Sequence, residues 1–188
     1  MRDNVGSPDE LNWVRQAAQG DQQAFARLVD AYWEKVRRWL YGLTGKQHMA
    51  EDVAQDTFLK AWIALPKLRE VATFRVWLFQ IARRCWLDAR RRSGLYKKLP
   101  LPVDVAGNQP GPLSNLIDGE TEEQLQIALA QLPSKFRAAY LLWTQEELPY
   151  SEIAAIFGVS EETARWRVCK ARQSLVQALT PYMQYRDQ

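Results

Sequence analysis

The sequence predicts an all-α protein in which a flexible Pro/Gly-rich linker joins two small helical domains. Apolar residues recur at three- and four-residue steps along most of the chain, which is the spacing of one helix face. Helix start and stop signals separate these stretches, and residues 99–121 contain four prolines, three glycines and no lysine or arginine. We expect an N-terminal domain at residues 1–98, a linker at 99–121 and a C-terminal domain at 122–188.

Composition supports a folded chain with an uneven charge distribution. Hydrophobic residues make up 47% and charged residues 25% of the 188 residues, close to the averages of globular proteins. The net charge is only +3, yet residues 69–98 hold nine basic and two acidic residues, so the rest of the chain is net acidic. Such a block is typical of phosphate binding, and a solvated basic helix face is the alternative.

Several classes of protein are disfavoured by what the chain contains. Cys85 and Cys169 lack metal-ligand spacing, and with His48 as the single histidine no zinc set can be assembled. We therefore expect no metal and no cofactor. The N-terminus carries acids, and no run of about 18 apolar residues occurs, which disfavours secretion and membrane spanning and predicts a cytoplasmic protein.

The N-terminal domain begins with two helices. Ser7, Pro8 and Glu10 form a start signal for a first helix that runs to about residue 19. Asp21 is suited to cap a second helix, which we expect Gly42 and Gly45 to end. Its inward stripe comprises Phe25, Leu28, Val29, Tyr32, Val36, Trp39 and Leu40.

Two further helices complete this domain. The third is predicted at about 47–65 and is stopped by Pro66, with an inward face at Val53, Phe58, Leu59, Trp62 and Ile63. The fourth is predicted at about 73–92, with Phe74, Trp77, Leu78, Ile81 and Ala82 inward. Its arginines are expected at outer positions, namely Arg75, Arg83, Arg84, Arg90, Arg91 and Arg92.

The C-terminal domain ends in a predicted helix-turn-helix. Helices at about 122–132 and 134–145 are followed by SEIAAIFGVSEETARWRVCKARQSL, in which Gly158 can end one helix and Ser160 can cap the next. The second of these helices turns Ala164, Val168, Ala171 and Leu175 inward and Glu162, Arg165, Trp166, Cys169 and Lys170 outward. A helix of this kind fits the major groove of DNA, whereas a helical hairpin with a charged face is the plainer alternative.

Three blocks together resemble the extracytoplasmic-function (ECF) group of the sigma-70 sigma factors, over nearly the whole chain. AEDVAQDTFLKAW at 50–62 resembles the family's polymerase-clamp-binding helix, and FRVWLFQIARRCWLDARRR at 74–92 resembles its promoter-melting helix. The helix-turn-helix resembles its reader of the upstream promoter element. The resemblance implies a protein without catalysis that directs core RNA polymerase, through its clamp and flap regions, to promoters.

The resemblance also implies three groups of site residues. The polymerase-binding group is Glu51, Asp52, Gln55 and Asp56, which share one helix face and would otherwise be a solvated acidic strip. The group for the −10 promoter element is Arg69, Thr73, Arg75, Arg83, Arg84, Trp86, Arg90 and Arg91. The group for the −35 element is Glu162, Thr163, Arg165, Trp166, Arg167, Cys169, Lys170 and Arg172.

The chain departs from the family at two positions that read DNA. Arg84 stands where the family usually has Asn, and Trp166 stands where it usually has a small residue. The promoter preference therefore cannot be carried over from the family. For the tryptophans of the fourth helix, core packing is favoured for Trp77, whereas Trp86 is equally suited to core packing or to stacking on a base.

Other functions remain as alternatives. A stand-alone helix-turn-helix regulator would explain the C-terminus alone, but not the acidic strip or the arginine-rich helix. An enzyme is disfavoured because the chain has no phosphate-binding glycine loop and His48 has no evident nucleophile partner. The resemblance also implies an anti-sigma factor as a partner, for which apolar surface between the two domains would be suitable.

Overall fold

A computed structural model describes residues 8–92 and 119–184, with side chains left out at 119–123 and 181–184. These residues form eight α-helices and no strand, which confirms the all-α prediction. The N-terminal helices are α1 (Pro8–Ala18), α2 (Gln22–Thr44), α3 (Gln47–Ala64) and α4 (Phe74–Arg92). The C-terminal helices are α5 (Gly119–Gln131), α6 (Ser134–Gln145), α7 (Tyr150–Phe157) and α8 (Glu161–Gln184).

Local sequence signals account for the boundaries of α2, with one exception. The Asp21 carboxylate accepts hydrogen bonds from the backbone N–H of Gln23 (2.9 Å) and Ala24 (3.0 Å), as an N-cap does. Gly45 ends the helix in the left-handed conformation, at φ 66°. The prediction that Gly42 also ends α2 is wrong, because Gly42 lies inside the helix beneath Leu141 of α6.

The boundary of the linker also differs from the prediction. Helix α5 begins at Gly119, so residues 119–121, predicted as linker, are helical. Residues 93–118 lie outside the described part of the chain, as does Ser7, the predicted cap of α1.

Aromatic side chains fill the core of the N-terminal domain. Trp39 is fully buried and meets Phe79 of α4 edge-on, with ring centroids 5.5 Å apart. Tyr32 packs in the same way on Phe74, and its hydroxyl donates a 2.6 Å hydrogen bond to Glu10 of α1. Burial raises the pKa of the Tyr32 hydroxyl, which therefore stays protonated as the donor.

The predicted inward face of α3 is partly wrong. Val53 and Phe58 are buried, but the side chains of Leu59 and Ile63 are 59% and 67% exposed. The helix buries a stripe of small residues instead, including Ala54 and Ala61, which lets it approach its neighbours closely. Leu59 and Ile63 lie on the opposite side of the helix and share it with the acidic residues.

The C-terminal domain contains the predicted helix-turn-helix, formed by α7 and α8. Gly158 adopts φ 64° and ends α7, and the Val159 N–H donates to the Ala154 carbonyl at 3.1 Å. The Ser160 hydroxyl accepts a 3.2 Å hydrogen bond from the Thr163 N–H at the start of α8. All four residues predicted to face inward are buried, namely Ala164, Val168, Ala171 and Leu175.

The two domains pack directly against each other, α2 against α6 and α4 against α7. Trp39 of the N-terminal core donates a 3.1 Å hydrogen bond from Nε1 to the Ala138 carbonyl of α6. A β-carbon at Gly42 would lie 2.6 Å from Cδ1 of Leu141, so any larger residue there requires either this side chain or the two helices to shift. The apolar surface expected to lie open between the domains is covered by this packing.

Candidate nucleic-acid interface

The outward side of α8 is accessible along its first three turns. Every residue predicted to face outward here is exposed, namely Glu162, Arg165, Trp166, Cys169 and Lys170. The Trp166 side chain is 49% exposed, and its ring meets Phe136 of α6 edge-on at 5.4 Å. Because Phe136 supports the ring from one side, α8 presents a fixed apolar group beside basic ones.

The remaining predicted residues of α8 frame this surface. Arg172 is exposed and Thr163 is half-buried at the start of the helix. Arg167 is half-buried, and its guanidinium lies 5.8 Å from the ring centroid of Phe157 in α7. The exposed part of α8 therefore combines an apolar group, acids at its N-terminus and several cations.

The C-terminal half of α4 is basic and partly open to solvent. Arg84 and Arg91 are exposed, and Arg91 pairs with Asp88 of the same helix at 2.6 Å. Arg90 lies over the ring of Trp86, and Trp86 itself is only 6% exposed. In this arrangement Trp86 is a core residue and is not available to stack on a base.

Arg75 does not lie at the outer position predicted for it. Its side chain is 12% exposed, and it forms a bidentate ion pair with Glu152 of α7, with Nη2–Oε1 at 2.6 Å and Nε–Oε2 at 3.0 Å. Arg83 is also drawn in, with its guanidinium 5.4 Å from the Phe157 ring centroid. Burial, and then the neighbouring Arg167, lower the pKa of Arg83.

The segment between α3 and α4 is open to solvent. It forms two 3-10 turns, Leu65–Lys67 and Val71–Thr73, and both Arg69 and Thr73 are exposed. The Thr73 hydroxyl donates a 2.7 Å hydrogen bond to the Glu70 carbonyl, which fixes the turn that precedes α4. This loop is therefore accessible and ordered by its own hydrogen bonds.

The polymerase-binding residues predicted on α3 form part of a longer surface. Asp52 and Gln55 are exposed, Glu51 and Asp56 are half-buried, and Glu51 accepts a 2.9 Å hydrogen bond from Gln47. The same side of α3 continues into exposed apolar residues. We call this surface the α3 ridge and define it as Asp52, Gln55, Asp56, Leu59 and Ile63.

Family models match both domains of the chain. Residues 28–95 match the model "Sigma-70 region 2", and residues 122–175 match "Sigma-70, region 4". The ECF RNA polymerase sigma factor SigW of Bacillus subtilis is 30% identical over 177 residues, covering 86% of this chain and 92% of SigW. The chain belongs to the ECF sigma factors of the sigma-70 family.

Two further comparisons agree with this family. ECF sigma factor SigE of Mycolicibacterium smegmatis is 38% identical over 164 residues, and the match covers 84% of this chain and 63% of SigE. Among solved structures, the sigma factor RpoE of Bartonella quintana, crystallised with the anti-sigma factor NepR, matches with a TM-score of 0.70. That match has 26% identity and covers 83% of this chain and 96% of RpoE.

Family membership confirms the resemblance that the three sequence blocks indicate. In this ECF sigma factor the α3 ridge and the arginine-rich α4 lie within region 2, and the helix-turn-helix lies within region 4. The roles of the individual site residues remain predictions.

The residues that join region 2 to region 4 are not among those predicted from the sequence. Besides Glu152, these include Arg38 of α2, whose Nη2 donates to the Glu146 carboxylate at 2.6 Å and to the Gln145 carbonyl at 3.1 Å. Gln80 of α4 donates to the Ala155 carbonyl at 2.9 Å. These partners are more than 70 residues apart in sequence, so no local pattern could have indicated them.

Arg137 of α6 is another missed residue, with an unusual environment. It is 8% exposed, and its Nη2 donates to the Leu43 carbonyl of α2 at 3.2 Å. Its Nη1 lies 3.5 Å from the carbonyls of Leu129 and Ala130 in α5. Burial lowers the pKa of Arg137 to about 10, so at neutral pH it is a cation held by the negative ends of two helix dipoles.

The described residues contain neither a candidate membrane span nor a candidate metal-binding cluster. No helix within 8–92 or 119–184 is both long and apolar enough to span a bilayer. Over the same ranges no cluster of three or more His, Cys, Asp or Glu side chains is placed to bind a metal ion.

Proposed function

We propose that this protein binds core RNA polymerase, directs it to promoters by contacts to the −35 and −10 elements, and stabilises the opened strand. The observation that carries this proposal is that one ECF sigma chain exposes the α3 ridge, the loop before α4 and the outward side of α8. The action is positional, and we propose that the protein catalyses no reaction itself.

The α3 ridge is proposed to dock on the polymerase clamp. Its acidic half suits a basic surface, and the exposed Leu59 and Ile63 add apolar area that water would otherwise contact. The carboxylates steer the encounter and fix its register, whereas the two apolar residues favour a helical partner that can cover them.

The promoter is proposed to be read at two places. Residues on the first turns of α8 enter the major groove at the −35 element, where Arg165 and Trp166 reach base edges and Arg172 contacts phosphate. At the −10 element, the loop containing Arg69 and Thr73 holds the opened strand beside α4. Unstacking costs a few kcal/mol per base step, so polymerase must supply part of the binding surface.

Reconstituted transcription tests this function. The purified protein and core polymerase are incubated with a pool of genomic promoters, and run-off products are sequenced. We expect promoter-specific initiation only when both proteins are present. Specific, salt-sensitive operator binding by the protein alone, without any change in initiation, would instead support the stand-alone helix-turn-helix regulator.

We also propose a cytoplasmic location and control by an anti-sigma factor. The support is the family and the structural likeness to a sigma factor solved with its anti-sigma factor NepR. Affinity purification of the tagged protein from resting and stressed cells tests this proposal. Recovery under both conditions without a bound inhibitor would contradict it.

A further inference from the structure

Trp166 lies in the middle of the surface that α8 exposes. It belongs to the second turn of the helix, and the residues one turn before and after it on the same side, Glu162 and Lys170, are exposed as well. The first turns of the second helix in a helix-turn-helix are the ones that contact base edges in the major groove. A base edge that lies against α8 therefore meets the exposed half of the Trp166 ring.

The covered side of the Trp166 ring contacts another helix. Phe136, near the start of α6, meets the ring with centroids 5.4 Å apart and the two ring planes at 75°. Edge-to-face packing of this kind is a favoured arrangement of two aromatic rings. A residue outside the helix-turn-helix therefore determines how the indole is held.

Phe136 is itself fixed by its surroundings. Its side chain is half-buried and packs against the hydrophobic core, where α6 and α8 lie against each other. Lys135 lies over the same ring, with Nζ 5.1 Å from the ring centroid. Because Phe136 cannot move without losing these contacts, it restricts the positions that the Trp166 ring can take.

Such a restriction matters for recognition. A long side chain that is free on a helix surface must lose its rotational freedom when it binds, and this loss weakens the affinity. The Trp166 ring has already lost part of this freedom against Phe136, so less is lost when DNA binds. A ring held in one place can also distinguish two bases that differ by a single small group.

The chemistry of the ring indicates which base it would contact. An indole offers a large apolar surface and a single hydrogen-bond donor. In the major groove, thymine is the base that presents a methyl group, whereas the other bases are distinguished by hydrogen-bond donors and acceptors. The group that best matches the exposed half of the Trp166 ring is therefore the thymine methyl group.

We propose that Trp166 contacts a thymine methyl group in the −35 element, and that Phe136 of α6 is a positioning residue that holds the indole for this contact. The inference rests on the proposed function, because it treats α8 as the helix that enters the major groove. Phe136 acts through Trp166, so α6 joins α8 among the elements that determine the promoter preference.

The first test replaces thymine with deoxyuridine, which removes only the methyl group from the base. A promoter that the wild type and core polymerase select from the genomic pool is rebuilt with one deoxyuridine at a time in the −35 element, on either strand. Run-off product is measured at limiting concentrations of the protein and polymerase. We expect the wild type to lose about fourfold in initiation at one position, the effect of removing one buried carbon. Equal initiation at every position would overturn the contact to thymine.

Two variants identify the side chains responsible. Trp166→Ser should initiate equally from the thymine and deoxyuridine templates, because it lacks the ring that contacts the methyl group. Phe136→Leu keeps an apolar side chain on α6 but loses the aromatic ring, so the ratio of initiation between the two templates should fall below about twofold. A ratio of about fourfold in Phe136→Leu would overturn the positioning role, and the same ratio in Trp166→Ser would overturn the contact by Trp166.

Two controls separate positioning from a general loss of stability, to which the ratio between templates is insensitive. Phe136→Tyr keeps the ring and should keep the wild-type ratio. Trp143→Leu truncates another half-buried aromatic residue of α6 and should also keep it, even if total initiation falls. Loss of the ratio in either variant would overturn the positioning role of Phe136. Wild-type protein that initiates at no promoter of the pool would contradict the proposed function, and the thymine contact with it.

Discussion

On the proposed function, Trp166 is the side chain that we expect to influence the promoter preference most. It stands where the family usually has a small residue, and its exposed ring is held against Phe136. An indole has a single hydrogen-bond donor and no acceptor on a large apolar ring, so most of its contacts on DNA are apolar ones, such as to a thymine methyl group. We therefore expect Trp166 to favour a base that a small polar residue would not distinguish.

We predict that Trp166→Ser changes the base preference at one or two positions of the −35 element without reducing polymerase binding. The change removes an apolar contact to DNA worth about 1 kcal/mol, roughly the value for burying one methyl group. Sequencing run-off products from a library randomised at the −35 element measures it. Val176→Ser, which truncates another exposed apolar residue of α8, is the matched control. An unchanged preference would show that Trp166 only packs on Phe136.

Glu146 provides a pH-dependent prediction. Burial raises the pKa of its carboxyl, and the hydrogen bond from Arg38 offsets only part of this effect. The pKa of the Glu146 carboxyl is higher in the folded state than in the unfolded state. Its contribution to the free energy of unfolding is therefore present at low pH and is lost as the pH rises through the pKa of the folded state.

At pH 7.5 we therefore expect Glu146→Gln, which keeps an acceptor for Arg38, to leave the free energy of unfolding unchanged or raise it by up to about 1 kcal/mol. Towards pH 5 the free energy of unfolding of the wild type should rise relative to that of Glu146→Gln. Urea unfolding at both pH values measures the difference. Glu146→Ala, which leaves Arg38 without its carboxylate, should lower the free energy by about 2 kcal/mol. A Gln variant as unstable as the Ala variant would contradict this account.

At the scale of elements, we predict that changes in the α3 ridge affect binding to core polymerase. Asp52→Ala with Gln55→Ala should weaken binding to core polymerase by about tenfold, because charge complementarity at a docking surface is lost. Both residues are exposed, so the melting temperature should stay nearly constant.

Fluorescence anisotropy with labelled protein measures the affinity for core polymerase. Asp30→Ala with Gln22→Ala is the matched control, since it removes the same two residue types from exposed positions of α2. Equal affinity of the ridge variant and this control would show that the ridge is only a solvated helix face.

Element boundaries could be predicted where a local signal fixes them. Some residues fix a helix end through contacts within four residues of their own position, and the sequence alone predicts these ends. They are Asp21, Gly45, Gly158 and the prolines that stop helices. Which side of α3 packs on the core could not be predicted in the same way. Leu59 and Ile63 fit an apolar stripe by spacing, but alanines form the buried face because they allow the closest approach, and no described residue covers the leucine and isoleucine.

At the scale of the whole molecule, the substitution Gly42→Ala tests how closely the two domains pack. Alanine is favoured over glycine in a helix by about 1 kcal/mol, so Gly42→Ala should strengthen α2 itself. Its β-carbon would nevertheless lie 2.6 Å from Leu141 of α6, which pushes the domains apart. We expect the radius of gyration to rise above that of the wild type, for which a compact chain of this length has about 16 Å.

Small-angle X-ray scattering measures this change, and Gly20→Ala is the control. Gly20 adopts φ 96° in the turn between α1 and α2, with open space around it, so its substitution strains the backbone without touching α6. A Gly42→Ala protein with the dimensions of the wild type would show that Leu141 simply rearranges and that the packing tolerates the methyl group.

The packing of region 2 on region 4 is the part of the molecule that sequence could not predict. Its ion pairs join residues 77 and 108 positions apart, and each partner alone fits an exposed helix position. The family resemblance predicts what each region contacts outside the chain. It does not predict that α7 packs on α4.

The position of Phe157 affects how the contact between region 2 and region 4 responds to ionic strength. Its ring brings the cations of Arg83 and Arg167 close together, so their mutual repulsion opposes the attraction between Arg75 and Glu152 a short distance away. Dissolved ions screen both forces at once. These side chains are partly buried, and partly buried charges are screened less than exposed ones, so the contact between the two regions should vary little with salt concentration.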